Sequence, residues 1–215
     1  MMGGAHKVYF NTEKLLISMG HEVAFFSTLD TENKQTPYSK YFINTIDVKN
    51  ISFFKKIKAS FNYLYNNDVE KNLIDLIEEF KPDIAHIHLF YGALSISVLN
   101  VLKKRNIPIV HSVHDYRLLC PANTFLDKNG TICEKCKNGK YYNSLLKKCS
   151  DNNIFQSFII MAEAYYWRFF NNPVNLIDKF IFVSKFIENK HIEFDENYFH
   201  KAELLYNFSP EAIDK

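Results

Sequence analysis

Four groups of residues in this chain have side chains that could do chemistry. The first is His114-Asp115-Tyr116-Arg117, directly after the apolar run Ile107 to Val113. An imidazole donates or accepts a proton near neutral pH. Beside it stand a carboxylate, a phenol and a forked cation. Four such groups at one strand end suit a hydroxylated or anionic ligand. The second group is His86 and His88 in Ile84 to His88 (IAHIH). Their spacing puts both on one face of a strand. His88, nearer the strand's end, reads as the ligand contact and His86 as a second-layer or core histidine. The third is the cysteines Cys120, Cys133, Cys136 and Cys149, spaced C-x12-C-x2-C-x12-C. A C-x2-C pair sets two thiolates on one tight turn, and two more would complete a closed structural Zn site. The spacing is not that of a zinc ribbon with two C-x2-C knuckles, so free thiols and two disulfides stay open beside metal. The fourth is Gly3-Gly4 at the start of a helical pattern. Glycine lets backbone approach a ligand, and the free N–H groups of a helix start favour an anion such as phosphate.

The elements that must position these groups alternate between helix and strand. Ala5 to Met19 carries Val8, Leu15, Leu16 and Met19 at helical spacing, and Gly20 ends it. Glu22 to Ser27 (EVAFFS) predicts a strand, and Phe42 to Val48 a short one. Phe53 to Phe80 predicts helix with a break near Asn66-Asn67. Ile84 to His88 and Ile107 to Val113 predict strands, with a helix over Tyr91 to Arg105 between them. A polar loop of about 116 to 150 then holds every cysteine. Ile154 to Phe170 (IFQSFIIMAEAYYWRFF) predicts a core helix, with an interfacial role kept open. Phe180 to Val183, Ser184 to Ile192 and Leu204 to Tyr206 predict strand, helix and strand. Such alternation implies βαβ units: an α/β, Rossmann-like, doubly wound and mainly parallel sheet with helices on both faces. In such sheets ligands bind beyond the carboxyl ends of the strands, where His88 and His114 fall.

Composition narrows the function classes. The 215 residues allow one ordinary domain with a real core, and 47% are apolar, so global disorder is excluded. Net charge is +2 with both signs interspersed, which leaves no electrostatic footprint for nucleic acid. No apolar run reaches the roughly 20 residues of a membrane span. No signal peptide is visible, so the expected compartment is cytoplasmic, with the inner face of the membrane as a further location. There, clustered cysteines more often mean metal or free thiol than disulfide.

The stretch GGAHKVYFNTEKLLISMGHEVAFFS resembles the Gly-rich loop, first helix and second strand of glycosyltransferase family 4. KPDIAHIHLF and IPIVHSVHDYRLLCP resemble later strands of that family's N-terminal domain, and KFIFVSKFIENK and LLYNFSPEAIDK its closing elements. HDYRLLCP followed by G-x2-C-x2-C and a distal Cys resembles a cysteine-bearing subset. The resemblance implies the N-terminal, acceptor-side half of a GT-B fold, two Rossmann-like domains facing a cleft. It implies a retaining enzyme that transfers sugar from a nucleotide-sugar donor to a glycan or lipid-linked acceptor in surface polysaccharide or glycolipid synthesis. On matching positions Gly3 and Gly4 approach the donor phosphates, and His114 is the residue important for transfer. His88, Asp115, Tyr116 and Arg117 are expected to bind substrate. A first strand ahead of Gly3 and a C-terminal domain holding the nucleotide are expected from the family and lie outside this sequence, so residues 1–215 alone are expected to be inactive. Peripheral membrane contact is a further expected partner. Two other readings remain: a non-catalytic Rossmann-like nucleotide-binding module, and a metal-stapled interaction domain. Against the first, no complete G-x-G-x-x-G opens the chain, and no acidic residue ends EVAFFS to hold a ribose.

Overall fold

The computed structural model describes residues 4–44 and 53–207. Its helices are α1 (Gly4–Ser18), α2 (Phe53–Leu64), α3 (Asn67–Phe80), α4 (Ser97–Lys104), α5 (Tyr142–Leu146), α6 (Ile154–Phe169), α7 (Pro173–Leu176) and α8 (Lys185–Phe194). Its strands are β1 (Ala85–Ile87), β2 (Ile109–Val113), β3 (Lys179–Phe182) and β4 (Ala202–Leu204). The strands form one sheet in the order β1-β2-β3-β4. Every pair is parallel, with Ala85 beside Ile109, Val110 beside Lys179 and Phe180 beside Ala202. Parallel neighbours need long crossovers, and helices supply them. The chain is thus α/β with a parallel sheet flanked by helices, as the alternating pattern predicts.

Strand β2 is central because its residues can be buried on both faces. Ile109, His111, Ser112 and Val113 are all buried. An apolar β-branched run suits that place. At its start the Ile109 N–H donates to Asp178 Oδ2 at 2.8 Å, while the Asp178 N–H donates to the Ile109 carbonyl at 2.9 Å. This double contact fixes the register between β2 and β3. Ile109, Phe180, Phe182, Leu99 and Ile96 make the fully buried centre of the core.

Local chemistry sets the helix boundaries. Asn66 divides α2 from α3: its Oδ1 accepts from Asp68 N–H at 3.0 Å and caps α3. Its own N–H donates to Ser97 Oγ at 2.8 Å, tying that start to α4. Asn153 caps α6, accepting from Phe155 N–H at 2.9 Å. Ser184 caps α8. The structure differs from the sequence reading in four places. Glu22 to Ser27 is not a ladder strand: pairing there is a single parallel bridge, Thr28 with Ile43. Two backbone bonds, Leu29 N–H to Ile43 O at 2.7 Å and Ile43 N–H to Ser27 O at 3.0 Å, are too few to extend it. That bridge also replaces the strand predicted from Phe42, whose end at Val48 lies outside the described residues. Helix α4 starts at Ser97, not Tyr91, because Gly92 (φ 76°) and Ser95 (φ 57°) take left-handed backbone that cannot continue a helix. The last strand is shifted to Ala202–Leu204.

The cysteine loop leaves β2 and returns at α6. It has little regular structure beyond α5 and one antiparallel bridge, Leu126 with Ile132. Asp127 anchors a turn, its Oδ1 accepting from Asn129 N–H at 3.0 Å, and pairs with Lys147 at 3.1 Å. Two ion pairs dock the loop on α8: Lys190 to Glu134 at 2.8 Å and Lys137 to Glu193 at 2.7 Å. Gly139 has φ 78°, left-handed backbone that favours glycine. Among the described residues no helix is long and apolar enough to cross a membrane.

Candidate active site

The carboxyl ends of β1 and β2 lie side by side, and each is followed by a histidine. Strand alternation puts His86 and His88 on one face, and Ser112 and His114 on the same face of the neighbouring strand. The side chains meet as that geometry requires. His86 Nε2 is 2.8 Å from Ser112 Oγ. The His86 and His88 rings are 4.5 Å apart, and His88 Nδ1 is 2.9 Å from His114 Nε2. The result is a row of three imidazoles running out along the sheet to the strand ends. The opposite face carries His111, whose Nδ1–H donates to the Ile87 carbonyl at 3.1 Å between Phe90 and Phe180.

Burial keeps the row uncharged. Burial lowers the His86 pKa, helped by the neighbouring His114. Burial, then the imidazoles of His86, His114 and His111, push His88 down to about 3. Burial lowers His114 as well, with the Asp115 carboxylate opposing it. Of two neutral imidazoles that share one contact, one ring nitrogen donates and the other accepts. The contact therefore fixes the ring orientation of His114 and couples its tautomer to that of His88. It occupies Nε2 of His114, and among the described residues no hydrogen bond engages its Nδ1. A half-buried, neutral, oriented imidazole at a strand end can exchange one hydrogen bond with a ligand hydroxyl.

Asp115 faces another way. Its Oδ2 accepts from the Tyr91 hydroxyl and its Oδ1 from the Arg117 N–H at 2.9 Å. Both oxygens are used to hold the turn after β2. Tyr116 packs its ring against Phe125, 4.8 Å between centroids, and near His191, so it belongs to the base of the cysteine loop. Arg117 turns inward. Its guanidinium donates to Glu163, to the Pro121 carbonyl and to Tyr63 Oη at 3.0 Å. Arg117 and Glu163 are 8% and 1% exposed, so this is a buried ion pair and the cation is taken up inside the protein. Of the candidate ligand-binding residues, His88 and His114 are brought together at the strand ends, while Asp115, Tyr116 and Arg117 hold the turn and the loop behind them. Tyr91, Ser112 and Glu163 complete these contacts and were not singled out by the sequence. Glu163 had a visible signal, as the one acid within an apolar aromatic helix.

Gly4 is the first residue of α1, and Gly3 lies outside the described residues. Tyr9 of α1 sets its ring edge-on to His88 at 5.2 Å. Five residues of helix separate it from Gly4, about 7.5 Å along the axis.

The four cysteines are free thiols drawn from the two ends and the middle of the loop. They are close enough to influence one another: burial, then Cys120, Cys149 and Cys133, push Cys136 up to about 12. Donors point at the sulfurs. Backbone N–H groups of Phe125 and Ala122 serve Cys120, and that of Ser144 serves Cys136. Among the described residues, however, no group of three or more His, Cys, Asp or Glu is arranged to hold a metal ion. A cavity of about 290 Å³ lies under this loop, lined by Arg117, Tyr141, Trp167 and Tyr198 among others, and none of His86, His88 or His114 lines it.

A protein of Klebsiella pneumoniae described as an uncharacterized 42.6 kDa protein in cps region is 27% identical over 202 residues. The match covers 89% of this chain and 48% of that protein, so the chain spans about half the length of its relative. No solved structure matches. The family model described as Glycosyltransferase Family 4 matches residues 2–208, nearly the whole chain, and the chain belongs to that family.

Proposed function

We propose that the chain is the acceptor-side domain of a retaining glycosyltransferase that moves sugar from a nucleotide-sugar to a glycan or lipid-linked acceptor in surface polysaccharide synthesis. The observation that carries the reading is the hydrogen-bonded His88–His114 pair, 2.9 Å apart at the ends of adjacent parallel strands. In open α/β sheets that is where ligands sit. The family match to residues 2–208 supplies the reaction class, and the Klebsiella relative from a cps region supports the polysaccharide setting.

His114 acts by position. Its Nδ1 meets a hydroxyl of the transferred or accepting sugar, while His88 holds Nε2. A neutral imidazole suits this task, since a cation in the cleft would compete for the donor's phosphates. No protein base is assigned: in a retaining transfer the departing phosphate can take the acceptor proton. The start of α1 at Gly4 favours an anion through its free N–H groups. Asp115 keeps the turn in place rather than touching sugar. The nucleotide is held by a second domain beyond this chain, so residues 1–215 alone do not transfer sugar.

The test is release of nucleoside diphosphate. The full-length protein is given a panel of uridine- and guanosine-diphosphate sugars with and without a lipid and glycan extract. Acceptor-dependent release from one donor supports the reading. Tight binding of nucleotide with no release from any donor would favour the non-catalytic nucleotide-binding module.

A further inference from the structure

Two donors line the cavity under the cysteine loop and find no acceptor in the protein. They belong to Arg117 and Trp167, which are 8% and 5% exposed. Arg117 Nη1 donates to the Pro121 carbonyl, and Nη2 to Glu163 and Tyr63. Among the described residues nothing accepts from its Nε–H, nor from the Trp167 Nε1–H. The guanidinium carbon lies 6.0 Å from the indole ring, so both donors stand at one end of the cavity. Buried polar groups are as a rule hydrogen-bonded, so two such exceptions in one cavity call for an occupant. The other buried side-chain atoms without a partner are on Gln156, Glu163 and His191, and none of these residues lines the cavity. Both nitrogens that do line it are donors only, so what meets them carries acceptor atoms.

Charge and shape narrow the occupant. The Arg117 cation is already paired with Glu163. The remaining charged residues of the lining are one of each sign, Arg168 and Asp195. An anion would meet no net positive charge there, and an apolar ligand would leave both donors unpaired. An uncharged ligand with oxygen atoms suits the cavity best. Trp167 and Tyr141 add aromatic surface for an apolar face. Asp195 uses Oδ1 to hold the Asn197 N–H at 3.0 Å, which leaves Oδ2 to accept from a hydroxyl. A ring with hydroxyls around its edge and C–H groups on its faces meets all of these conditions. The volume of about 290 Å³ is near the lower end for small-molecule sites, room for one ring rather than a chain.

We infer that the cavity under the cysteine loop is a second ligand site, separate from the histidine row, and that it takes one saccharide ring with Arg117 Nε and Trp167 Nε1 donating to its oxygens. Asp115 Oδ1, which accepts from the Arg117 N–H at 2.9 Å, ties the wall of this site to the turn after β2. The chemical class follows from the cavity itself. That the ring is a further unit of the acceptor glycan rests on the proposed transfer.

The experiment titrates full-length protein, labelled with heavy nitrogen, with methyl glycosides of glucose, galactose, mannose, rhamnose and N-acetylglucosamine, and separately with acetate and inorganic phosphate. The reporter is the Trp167 indole N–H resonance, identified by its loss in Trp167→Phe. At least one glycoside should move it saturably, and neither anion should. Trp167→Phe keeps a ring and removes one donor, so binding of that glycoside, read by saturation transfer on the ligand, should weaken about fivefold. Ala164→Leu fills the cavity from α6 and should abolish it. Circular dichroism melting is the folding control, and Trp167→Phe should melt near the wild type because its N–H has no protein partner to lose. A resonance that no glycoside moves would overturn the inference, with water alone serving the two donors. So would a resonance moved by acetate or phosphate in place of a glycoside, or glycoside binding that a folded Trp167→Phe leaves unchanged. Release of nucleoside diphosphate, followed in parallel, separates this site from the proposed transfer. Release without glycoside binding refutes the site alone, and glycoside binding without release from any donor refutes the transfer and keeps the site.

Discussion

Replacing His88 by Phe isolates what the contact between the two histidines does. Phenylalanine keeps a ring of nearly the same size against Tyr9 and His86, 5.2 Å and 4.5 Å away in the wild type, so packing is largely retained. What disappears is the 2.9 Å contact to His114 Nε2. A net hydrogen bond is worth about 1 kcal/mol. If all of it serves to hold His114 for transfer, kcat falls about fivefold, since about 1.4 kcal/mol is tenfold in rate. Stability should fall by about the same 1 kcal/mol. KM for the acceptor should barely move, because His88 acts through His114. His88→Gln, which can still reach a ring nitrogen, should recover most of the rate. The assay is steady-state nucleotide release by the full-length protein at saturating donor and acceptor, with urea unfolding as the stability control. Unchanged kcat in a stable Phe variant would show that the bond does not position His114. A loss near 10²-fold, the scale of a proton-handling group, together with a raised KM would show that His88 touches substrate itself.

Three further outcomes follow from buried groups. His111 and His191 are 3% and 0% exposed and burial lowers them to about 3 and about 4. Their folded pKa values lie below the unfolded value near 6.5, so the unfolded state binds more protons between those limits. Stability is therefore present above about pH 6.5 and lost as pH falls toward 4, by about 2 kcal/mol for each histidine at pH 5. Urea midpoints measured from pH 8 to pH 4 should show this fall, and a flat profile would refute it. Glu163→Ala leaves the Arg117 cation buried without its partner and should cost about 3–5 kcal/mol of unfolding free energy. A loss under about 1 kcal/mol would mean that water already reaches the guanidinium. Cys136, pushed to about 12, should react with iodoacetamide at pH 8 roughly 10³-fold more slowly than a free cysteine, which mass spectrometry of labelled peptides would show. Labelling at the free-thiol rate would contradict the buried placement.

Where pattern and chemistry agree locally, the sequence was legible. Ile107 to Val113 is apolar and β-branched, so a buried parallel strand ending at His114 could be read directly. Period two places His86 and His88 on one face. Asn66 marked the break between α2 and α3 because its side chain caps a helix. Other features depend on neighbours that the chain order hides. Whether Glu22 to Ser27 becomes a strand depends on a partner beside it, and only the Thr28–Ile43 bridge is there. The late start of α4 depends on left-handed backbone at Ser95, a residue with no strong signal for it. Arg117 looked like a ligand contact because it follows His114 so closely. Its partner Glu163 is 46 residues away, and only the fold brings the two together. The same long-range contact links the strand end to α6.

The measurement that bears most directly on the account is turnover by His114→Ala in the full-length protein, at saturating nucleotide-sugar and acceptor, with circular dichroism as the folding control. The account predicts a folded variant whose kcat falls roughly 10²-fold, while Asp115→Asn loses less, because Asp115 holds a turn and His114 meets the sugar. A His114→Ala variant that turns over at the wild-type rate while Asp115→Asn is dead would contradict it.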